Sequence, residues 1–195
     1  MKDIIMNKWI VSDTHFNHKN IIKFTGNDGS LIRPGFTSKK TNTFVPFTDI
    51  DQHNEMLVDN WNSDIGQFDK VYFLGDFGDI SFAKRLNGKK RLILGNHDNM
   101  TDKYDLVKYF DQIMVSRIFT TEFVRPIMMT HYPVHKDERG RAPRYVNVHG
   151  HTHEKDMLDE NGRPDPWYIN VCVEKTNCYP MHWDTLNDIL RKNKV

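Results

Sequence analysis

Residues 91–98 read RLILGNHD, a short apolar run that stops at a polar cluster. Such a run is typical of a buried strand that delivers functional side chains at its end. In the cluster, Asn96 offers a carbonyl oxygen, His97 an imidazole, and Asp98 a carboxylate that can orient the imidazole by hydrogen bonding. A tight turn accounts for Gly95 and Asn96 but not for the two residues that follow. The segment therefore predicts a strand that ends at a chemical site.

The same kind of junction recurs elsewhere in the chain. The apolar runs are residues 8–11 before SDTHF, 71–74 before GDFGD, 127–129 before THYP and 145–148 before HGHTH. The spacing of apolar residues predicts helices at 50–61, 80–86, 102–110 and 185–192, and further strands are predicted at 119–130 and 167–173. Strands that alternate with helices predict an α/β fold. A chain of 195 residues fits a single domain over 1–195, because separate cores become usual only beyond roughly 250–300 residues.

Residues 25–48 differ from the rest, being rich in Gly, Thr, Ser, Lys and Pro with few periodic apolar positions. They are predicted to form a long loop. Long loops in compact domains are often functional, so a lid over the site and a merely mobile segment are both open interpretations.

Two of the junctions place carboxylates at strand ends. Asp13 and His15 are two residues apart, so in an extended segment both face one way and can bind one ion together. Asp76 follows a glycine directly after its apolar run, where its carboxylate can present two oxygens to two ions. An isolated Gly-Asp pair is more often a helix cap, and that alternative stays open for this residue taken alone.

The remaining junctions supply histidines. His131 stands alone before Tyr132-Pro133, and a lone histidine is more often a core or surface residue than a ligand. HGHTH is different, because three histidines within five residues are hard to explain by packing. This cluster indicates metal binding by His151 and His153.

Together the candidate ligands are carboxylates, imidazoles and one amide, without thiolates. They are Asp13, His15, Asp76, Asn96, His131, His151 and His153. Such a set suits Mn²⁺, Fe, Zn²⁺ or Ni²⁺, and Mn²⁺ is the first expectation. These ligands exceed the three or four that one catalytic ion needs, so two divalent metal ions are predicted, about 3.5–4 Å apart. Asp76 is the natural shared ligand.

The ordered series D-x-H, G-D, G-N-H-D, H and G-H-x-H resembles the calcineurin-like metallophosphoesterase superfamily. The resemblance covers about residues 9–153, and SDTHFNHKNII and NVCVEKTNCYP look like the small bacterial and phage branch. It implies a four-layer αββα sandwich of two mixed sheets flanked by helices, with metals at the strand ends. It also implies a metal-dependent phosphoric ester hydrolase, in which metal-activated hydroxide attacks a phosphomonoester or phosphodiester.

Carried over to matching positions, the resemblance implies two sets of metal ligands. Asp13, His15, Asp76 and His153 would hold one ion, and Asp76, Asn96, His131 and His151 the other. His97 is implied to face the substrate, stabilising the transition state or protonating the leaving oxygen, with Asp98 holding it in position. His18 and His135 lie beside these blocks as candidate pocket residues, and His149 is expected to give structural support. Basic candidates for phosphate contact, with solvated loop charges as the alternative, are Arg33, Lys39, Lys40, Arg139, Arg141 and Arg144.

Differences between these motifs and those of other branches of the superfamily narrow the range of expected activities. The second block reads GDFGDIS, without the arginine typical of protein serine/threonine phosphatases, and no tyrosine closely follows Asp76 as purple acid phosphatases need. A small nucleotide or nucleic-acid-end phosphatase, or a nuclease, stays open. So does a non-catalytic scaffold on the same fold, against which the intact ligand set and His97 argue.

Charge and composition limit the partners and the cellular compartment that can be expected. The chain has 27 basic and 26 acidic residues, so no strong field attracts nucleic acid or an anionic membrane. The partner expected is a small phosphate ester or nucleotide, and a nucleic-acid partner is not indicated by charge. No leader-like region opens the chain and no run approaches the ~20 apolar residues that span a bilayer. A cytoplasmic protein is expected, with Cys172 and Cys178 as free thiols.

Overall fold

The computed structural model describes residues 6–98, 103–139 and 144–193. The strands are β1 (Lys8–Val11), β2 (Gly35–Thr37), β3 (Phe44–Pro46), β4 (Lys70–Phe73), β5 (Lys89–Ile93), β6 (Gln112–Met114), β7 (Ser116–Phe119), β8 (Ile127–Thr130), β9 (Val146–His149), β10 (Tyr168–Asn170) and β11 (Met181–His182). The α-helices are α1 (Ile50–Asp64), α2 (Lys103–Tyr109) and α3 (Trp183–Asn193), and 3₁₀ helices span Ile80–Arg85 and Lys136–Arg139.

Two mixed sheets organise the described chain. The first has the order β11-β1-β4-β5-β6, in which only β11 is antiparallel to its neighbour. The second has the order β10-β9-β8-β7, in which only β7 is antiparallel. Parallel neighbours end at the same edge of a sheet. The segments that follow β1, β4 and β5, and those that follow β8 and β9, are therefore brought together.

The first sheet is buried on both faces, which explains its unbroken apolar runs. Adjacent residues point to opposite sides, and the pairs are Ile10 and Val11, Tyr72 and Phe73, and Ile93 and Leu92. One face packs on Leu57, Val58 and Trp61 of α1. The other face shares a core with Ile127 and Val148 of the second sheet. A helical layer and two sheets are thus stacked in that order.

Helix α1 begins and ends at recognisable caps. The Asp49 carboxylate accepts a hydrogen bond from the Gln52 N–H at 2.8 Å, which satisfies one of the free N–H groups of the first turn. The helix continues to Asp64, beyond the predicted end at residue 61. The Trp61 indole inside it donates to the Asn87 carbonyl at 3.0 Å. These contacts fix the helix on the first sheet.

The mixed α/β architecture agrees with the sequence, whereas the fourth layer of the implied sandwich is not confirmed. On the outer face of the second sheet, Asn147 accepts from the Val134 N–H at 2.8 Å and donates to the Met128 carbonyl at 3.0 Å. The segment around residue 134 therefore covers this face in the described part of the chain. Helix α3 instead sends Trp183 and Leu186 into the core shared by the two sheets.

The prediction of a long loop at 25–48 is wrong. Strands β2 and β3 pair there as an antiparallel hairpin with Phe36 opposite Val45. Phe36 is buried in the core beside α1, and Arg33 is only 1% exposed. The hairpin escaped detection because strands of three residues are too short for alternation to appear.

Other element boundaries differ in detail. The helix predicted at 80–86 is a 3₁₀ helix, Ile80–Arg85, rather than an α-helix. The predicted strand 119–130 is two strands, since β7 ends at Phe119 and β8 begins at Ile127. Pro126, which lacks an N–H, stands between them. The predicted helix start at residue 102 lies outside the described residues. In the described part, none of the helices has the length and apolar character to cross a bilayer.

Candidate metal centre

The loops that leave β1 and β4 stay paired beyond the strands. The Asp13 N–H donates to the Gly75 carbonyl at 3.0 Å and the His15 N–H to the Asp76 carbonyl at 3.1 Å. These bonds extend the parallel ladder into the polar clusters. They hold SDTHF and GDFGD side by side at the edge of the first sheet.

Most of the expected ligands have left-handed backbone conformations. Their φ angles are 61° at Asp13, 49° at His15, 59° at Asp76, 69° at His151 and 53° at His153. A non-glycine residue held in this region costs on the order of 1–2 kcal/mol. Strand alternation therefore does not align Asp13 with His15 as expected, because β1 has already ended. Left-handed turns aim both side chains instead.

The first cluster joins Asp13, His15 and His153, whose candidate ligand atoms all lie within 4.8 Å of one another. The His15 Nε2 atom is 3.8 Å from Asp13 Oδ1. Both atoms are buried and have no hydrogen-bond partner among the described residues. Buried polar atoms without a hydrogen-bond partner are unfavourable, and a cation between these two atoms would satisfy both. A divalent ion fits this donor set.

The second cluster joins Asp76, His131 and His151, again with ligand atoms within 4.8 Å of one another. The His131 Nδ1 atom lies 2.7 Å from the Leu74 carbonyl oxygen. A carbonyl can only accept, so Nδ1 donates to it and Nε2 is the ring nitrogen left to face a metal ion. The Nε2 atom lies 2.9 Å from the Asn96 Oδ1 atom. A nitrogen and an oxygen this close can both bind one cation.

One oxygen of Asp76 lies between the two clusters. Its Oδ2 atom is 3.5 Å from His15 Nε2 and 3.5 Å from His131 Nε2. Its Oδ1 atom accepts a hydrogen bond from the His97 N–H at 2.8 Å. The expectation that both oxygens face metals is therefore corrected, because one of them holds the GNHD loop.

His97 lies on the solvent-exposed side of the candidate centre. Its side chain is 56% exposed, and its Nε2 atom is 4.0 Å from Asp76 Oδ2. The ring centroid lies 5.3 Å from that of His15 and 6.5 Å from that of His18. Burial and the neighbouring His15 and His97 lower the pKa of His18. These rings line the solvent side of the first cluster.

The expectation that Asp98 holds the His97 imidazole is also corrected. Asp98 Oδ2 accepts from the N–H groups of Gly95 at 2.7 Å and Asp76 at 2.9 Å, and Oδ1 accepts from Phe77 at 2.9 Å. In the described part of the chain, no hydrogen bond joins its carboxylate to the His97 ring. Burial raises the pKa of Asp98, against these N–H groups, which favour the charged form. Asp98 ties the second and third blocks together.

We therefore expect Asp98→Ala to destabilise the metal-free chain by about 2–4 kcal/mol, because three N–H groups lose a charged acceptor. Urea unfolding without metal measures the difference. A variant that unfolds like the unaltered chain but loses turnover would contradict this role and restore the catalytic one.

The other carboxylate oxygen of Asp13 is held by hydrogen bonds that the sequence did not predict. Its Oδ2 atom accepts from Ser12 Oγ at 2.5 Å, the His151 N–H at 2.9 Å and Cys172 Sγ at 3.2 Å. Burial opposes ionisation, but His15 and Ser12 hold the pKa of Asp13 well below its usual range. A Cβ atom at Gly150 would lie 2.1 Å from Ser12 Oγ. HGHTH reaches Asp13 only because residue 150 is glycine.

The imidazoles of HGHTH differ in their protonation tendencies. Burial, and then the charge of His131, lower the pKa of His151. Burial likewise lowers the pKa of His149, whose fully buried ring is 6.0 Å from that of Tyr168, in keeping with structural support. Burial also disfavours charge on His153, but its hydrogen bond to Glu174 raises the pKa overall.

The basic candidates for phosphate contact are distributed differently from expectation. Arg33 is buried and points into the protein. Lys39 pairs with Asp64 and lies over the Tyr179 ring. Arg144 lies over the Tyr145 ring. Arg141 and the side chain of Arg139 lie outside the described residues.

Comparisons with known proteins agree with this geometry. A model of the calcineurin-like phosphoesterase superfamily domain matches residues 50–172, and the chain belongs to that superfamily. An uncharacterized protein, MJ1445 of Methanocaldococcus jannaschii, is 30% identical, over 96% of this chain and 93% of its own. The Gene 66 protein of Mycobacterium phage L5 is 24% identical, over 80% of this chain and 81% of its own.

Among solved structures, a protein of unknown function from Aquifex aeolicus, AQ665, has the same fold. Its TM-score is 0.63 at 23% identity, and the match covers 95% of this chain and 100% of that one. This likeness concerns the fold alone. The resemblance to the superfamily drawn from the five motifs is confirmed, and the two relatives named above come from an archaeon and a phage.

Proposed function

We propose that the chain is a dinuclear metal-dependent phosphoesterase that hydrolyses a small phosphomonoester or phosphodiester. One observation carries the proposal: Asp76 Oδ2 lies 3.5 Å from a histidine nitrogen of each cluster. The ligands would be Asp13, His15, Asp76 and His153 for one ion, and Asp76, Asn96, His131 and His151 for the other. Two Mn²⁺ ions are the first expectation for this set of oxygen and nitrogen donors, with Fe, Zn²⁺ or Ni²⁺ as alternatives.

Divalent ions bound there would place positive charge against the phosphoryl oxygens and lower the pKa of the water that attacks phosphorus. The other roles in the reaction are assigned to residues of the chain. His97 stands at the open side of both clusters, where its Nε2 atom can donate a proton to the leaving oxygen. Asp76 fixes the His97 backbone, and Asp98 fixes Asp76. One water is consumed for each ester, and the products are an alcohol with phosphate from a monoester, or an alcohol with a phosphate monoester from a diester.

Several finer features belong to the same proposal. We infer one domain over 1–195 and the four-layer αββα sandwich, both supported by membership of the superfamily. A cytoplasmic location is supported by the free, buried thiols of Cys172 and Cys178. A nucleotide is a suitable substrate, because its phosphate ester presents the oxygens and the leaving alkoxide that the site addresses.

The chain reconstituted with Mn²⁺ is expected to hydrolyse nitrophenyl phosphate or bis-nitrophenyl phosphate, and a chelator is expected to stop turnover. Metal content and hydrolysis of both esters are measured on one preparation. Diester turnover identifies a phosphodiesterase and directs the search to cyclic nucleotides or nucleic acids. Monoester turnover alone identifies a phosphatase. Two bound ions without turnover of either ester would contradict the proposal and favour a scaffold on this fold.

A further inference from the structure

Arg33 lies beneath the first cluster, with 1% of its surface exposed. Its Nη2 atom donates to the Asp13 carbonyl at 2.6 Å, and its Nη1 atom donates to the Thr14 carbonyl at 2.9 Å. These two carbonyls belong to the left-handed turn that aims Asp13 and His15. The guanidinium therefore holds the backbone of that turn from inside the protein.

Glu174 connects Arg33 to the third member of the cluster. Its Oε1 atom accepts from Arg33 Nε at 2.8 Å, from Arg33 Nη2 at 2.6 Å and from His153 Nδ1 at 2.9 Å. A carboxylate oxygen accepts, so His153 carries its hydrogen on Nδ1 and presents the Nε2 lone pair for a metal ion. Glu174 thus selects the tautomer of His153 and fixes its ring.

The hydrogen-bonding capacity of Arg33 is filled. A guanidinium has five N–H donors in a rigid fork. Besides the two carbonyls and the two bonds to Glu174, Arg33 Nη1 contacts His53 Nε2 at 3.1 Å. Burial, together with the Arg33 charge, lowers the pKa of His53 to about 3, so its ring is neutral and accepts. A lysine has three donors and cannot make five hydrogen bonds in this arrangement.

The charges of the network are balanced inside the protein. The Glu174 side chain is 3% exposed and that of Arg33 1%. Burial opposes ionisation of Glu174, but the adjacent Arg33 lowers its pKa overall. Removing one partner of a buried ion pair leaves an uncompensated charge. The two residues therefore act as a unit.

The hairpin segment carries Arg33 to this position. The Thr37 N–H donates to Asn177 Oδ1 at 2.7 Å, and Asn177 Nδ2 donates back to the Thr37 carbonyl at 2.7 Å. This reciprocal pair attaches β2 to the loop that contains Glu174. The segment 25–48 is thereby fixed to the same support from which His153 is oriented.

We propose that Arg33 and Glu174 are positioning residues that set the metal affinity of the cluster formed by Asp13, His15 and His153. The inference rests on the proposed dinuclear site and assigns the hairpin segment the role of an anchor. The second cluster is oriented separately, by the Leu74 carbonyl at His131. Disturbing the pair therefore weakens the binding of one ion and leaves the binding of the other unchanged.

The test is Mn²⁺ binding by equilibrium dialysis and calorimetry, without substrate. The unaltered chain is expected to bind two ions. Glu174→Gln and Arg33→Lys are expected to weaken one ion by about 10–100-fold, the range for residues that orient metal ligands, and to leave the other unchanged. Glu55→Gln is the matched control, because Glu55 forms an exposed bidentate pair with Arg85 at 2.8 and 2.6 Å.

Combined variants identify the affected ion. In a His153→Ala background, Glu174→Gln is expected to cause a smaller further loss, because only its support of Arg33 and of the Asp13 turn remains to be disturbed. In a His131→Ala background, its effect is expected to persist. If a single variant does not fold, as judged by thermal unfolding without metal, Glu174→Asp must show the same selective loss.

Three outcomes overturn the inference. Unchanged binding of both ions in the folded variants shows that the pair does not set affinity. Equal weakening of both ions shows a general structural effect. An unaltered chain that binds fewer than two ions removes the proposed function, and the inference with it, which separates that failure from the other two.

Discussion

Asp76→Asn is expected to lower kcat/KM for the favoured nitrophenyl ester by roughly 10³-fold. The introduced amide can still accept the His97 N–H, but it is neutral and replaces the charged oxygen that lies 3.5 Å from both His15 and His131. Metal ions contribute several kcal/mol of transition-state stabilisation, and about 1.36 kcal/mol corresponds to tenfold in rate. Steady-state kinetics at saturating Mn²⁺ measure the loss.

Asp79→Asn is the matched control for this substitution. Asp79 belongs to the same GDFGD block, but its Oδ1 atom caps the 3₁₀ helix by accepting from the Ser81 N–H at 2.9 Å. It is expected to keep nearly full activity. If Asp76→Asn keeps full turnover with both ions bound, the shared-ligand role of Asp76 is wrong.

His97→Ala is expected to lower kcat by about 10²–10⁴-fold, the usual contribution of a general acid. The metal stoichiometry is expected to stay the same, because His97 belongs to neither metal cluster. Nitrophenolate leaves readily without a proton, whereas an alkoxide requires one. The loss should therefore be larger for an alkyl phosphate than for a nitrophenyl phosphate, and paired kinetics on the two esters measure the difference.

His135→Ala controls for the removal of a surface histidine, since His135 is 69% exposed and contacts Asp137. Equal losses on both esters would show that His97 stabilises charge on the phosphoryl group rather than protonating the leaving oxygen. Unchanged kcat on both would remove His97 from the mechanism.

The sequence pointed to the candidate metal centre because each polar block follows an apolar run, and because the blocks together resemble one superfamily. The structure adds that the blocks after β1, β4 and β5, and those after β8 and β9, meet where parallel strands end at the same edge of a sheet. Each block alone was ambiguous, as the cap alternative for Asp76 illustrates. Their order along the chain carried the recognition of the superfamily, which the comparisons confirm.

The roles of Asp98 and Arg33 could not be predicted from the sequence in this way. Asp98 looks like a partner for the adjacent His97, but the N–H groups it binds at Asp76 and Phe77 are more than 20 residues away. Arg33 stands in a polar segment and looks like a solvated charge. Its acceptors come from three separate parts of the chain, at residues 13–14, 53 and 174, and no local sequence pattern predicts that these parts come together.

The left-handed backbone turns could not be predicted from the sequence either. Asp, Asn and occasionally His visit positive φ, but the sequence does not say which of them does. Short strands were missed for a related reason, because β11 has two residues and β2 has three. Pairing with a neighbour defines these strands, and pairing is not a local property.

The first cluster also bears on when a metal ion can be captured during folding. The bonds that surround it join residues far apart in the chain: 138 between Asp13 and His151, 159 between Asp13 and Cys172, and 141 between Arg33 and Glu174. Contacts of such long range form late, because closing long loops is entropically unfavourable. A nascent chain must therefore have both sheets docked before this cluster exists. An ion that binds this cluster is therefore expected to slow unfolding of the finished protein rather than to hasten its folding.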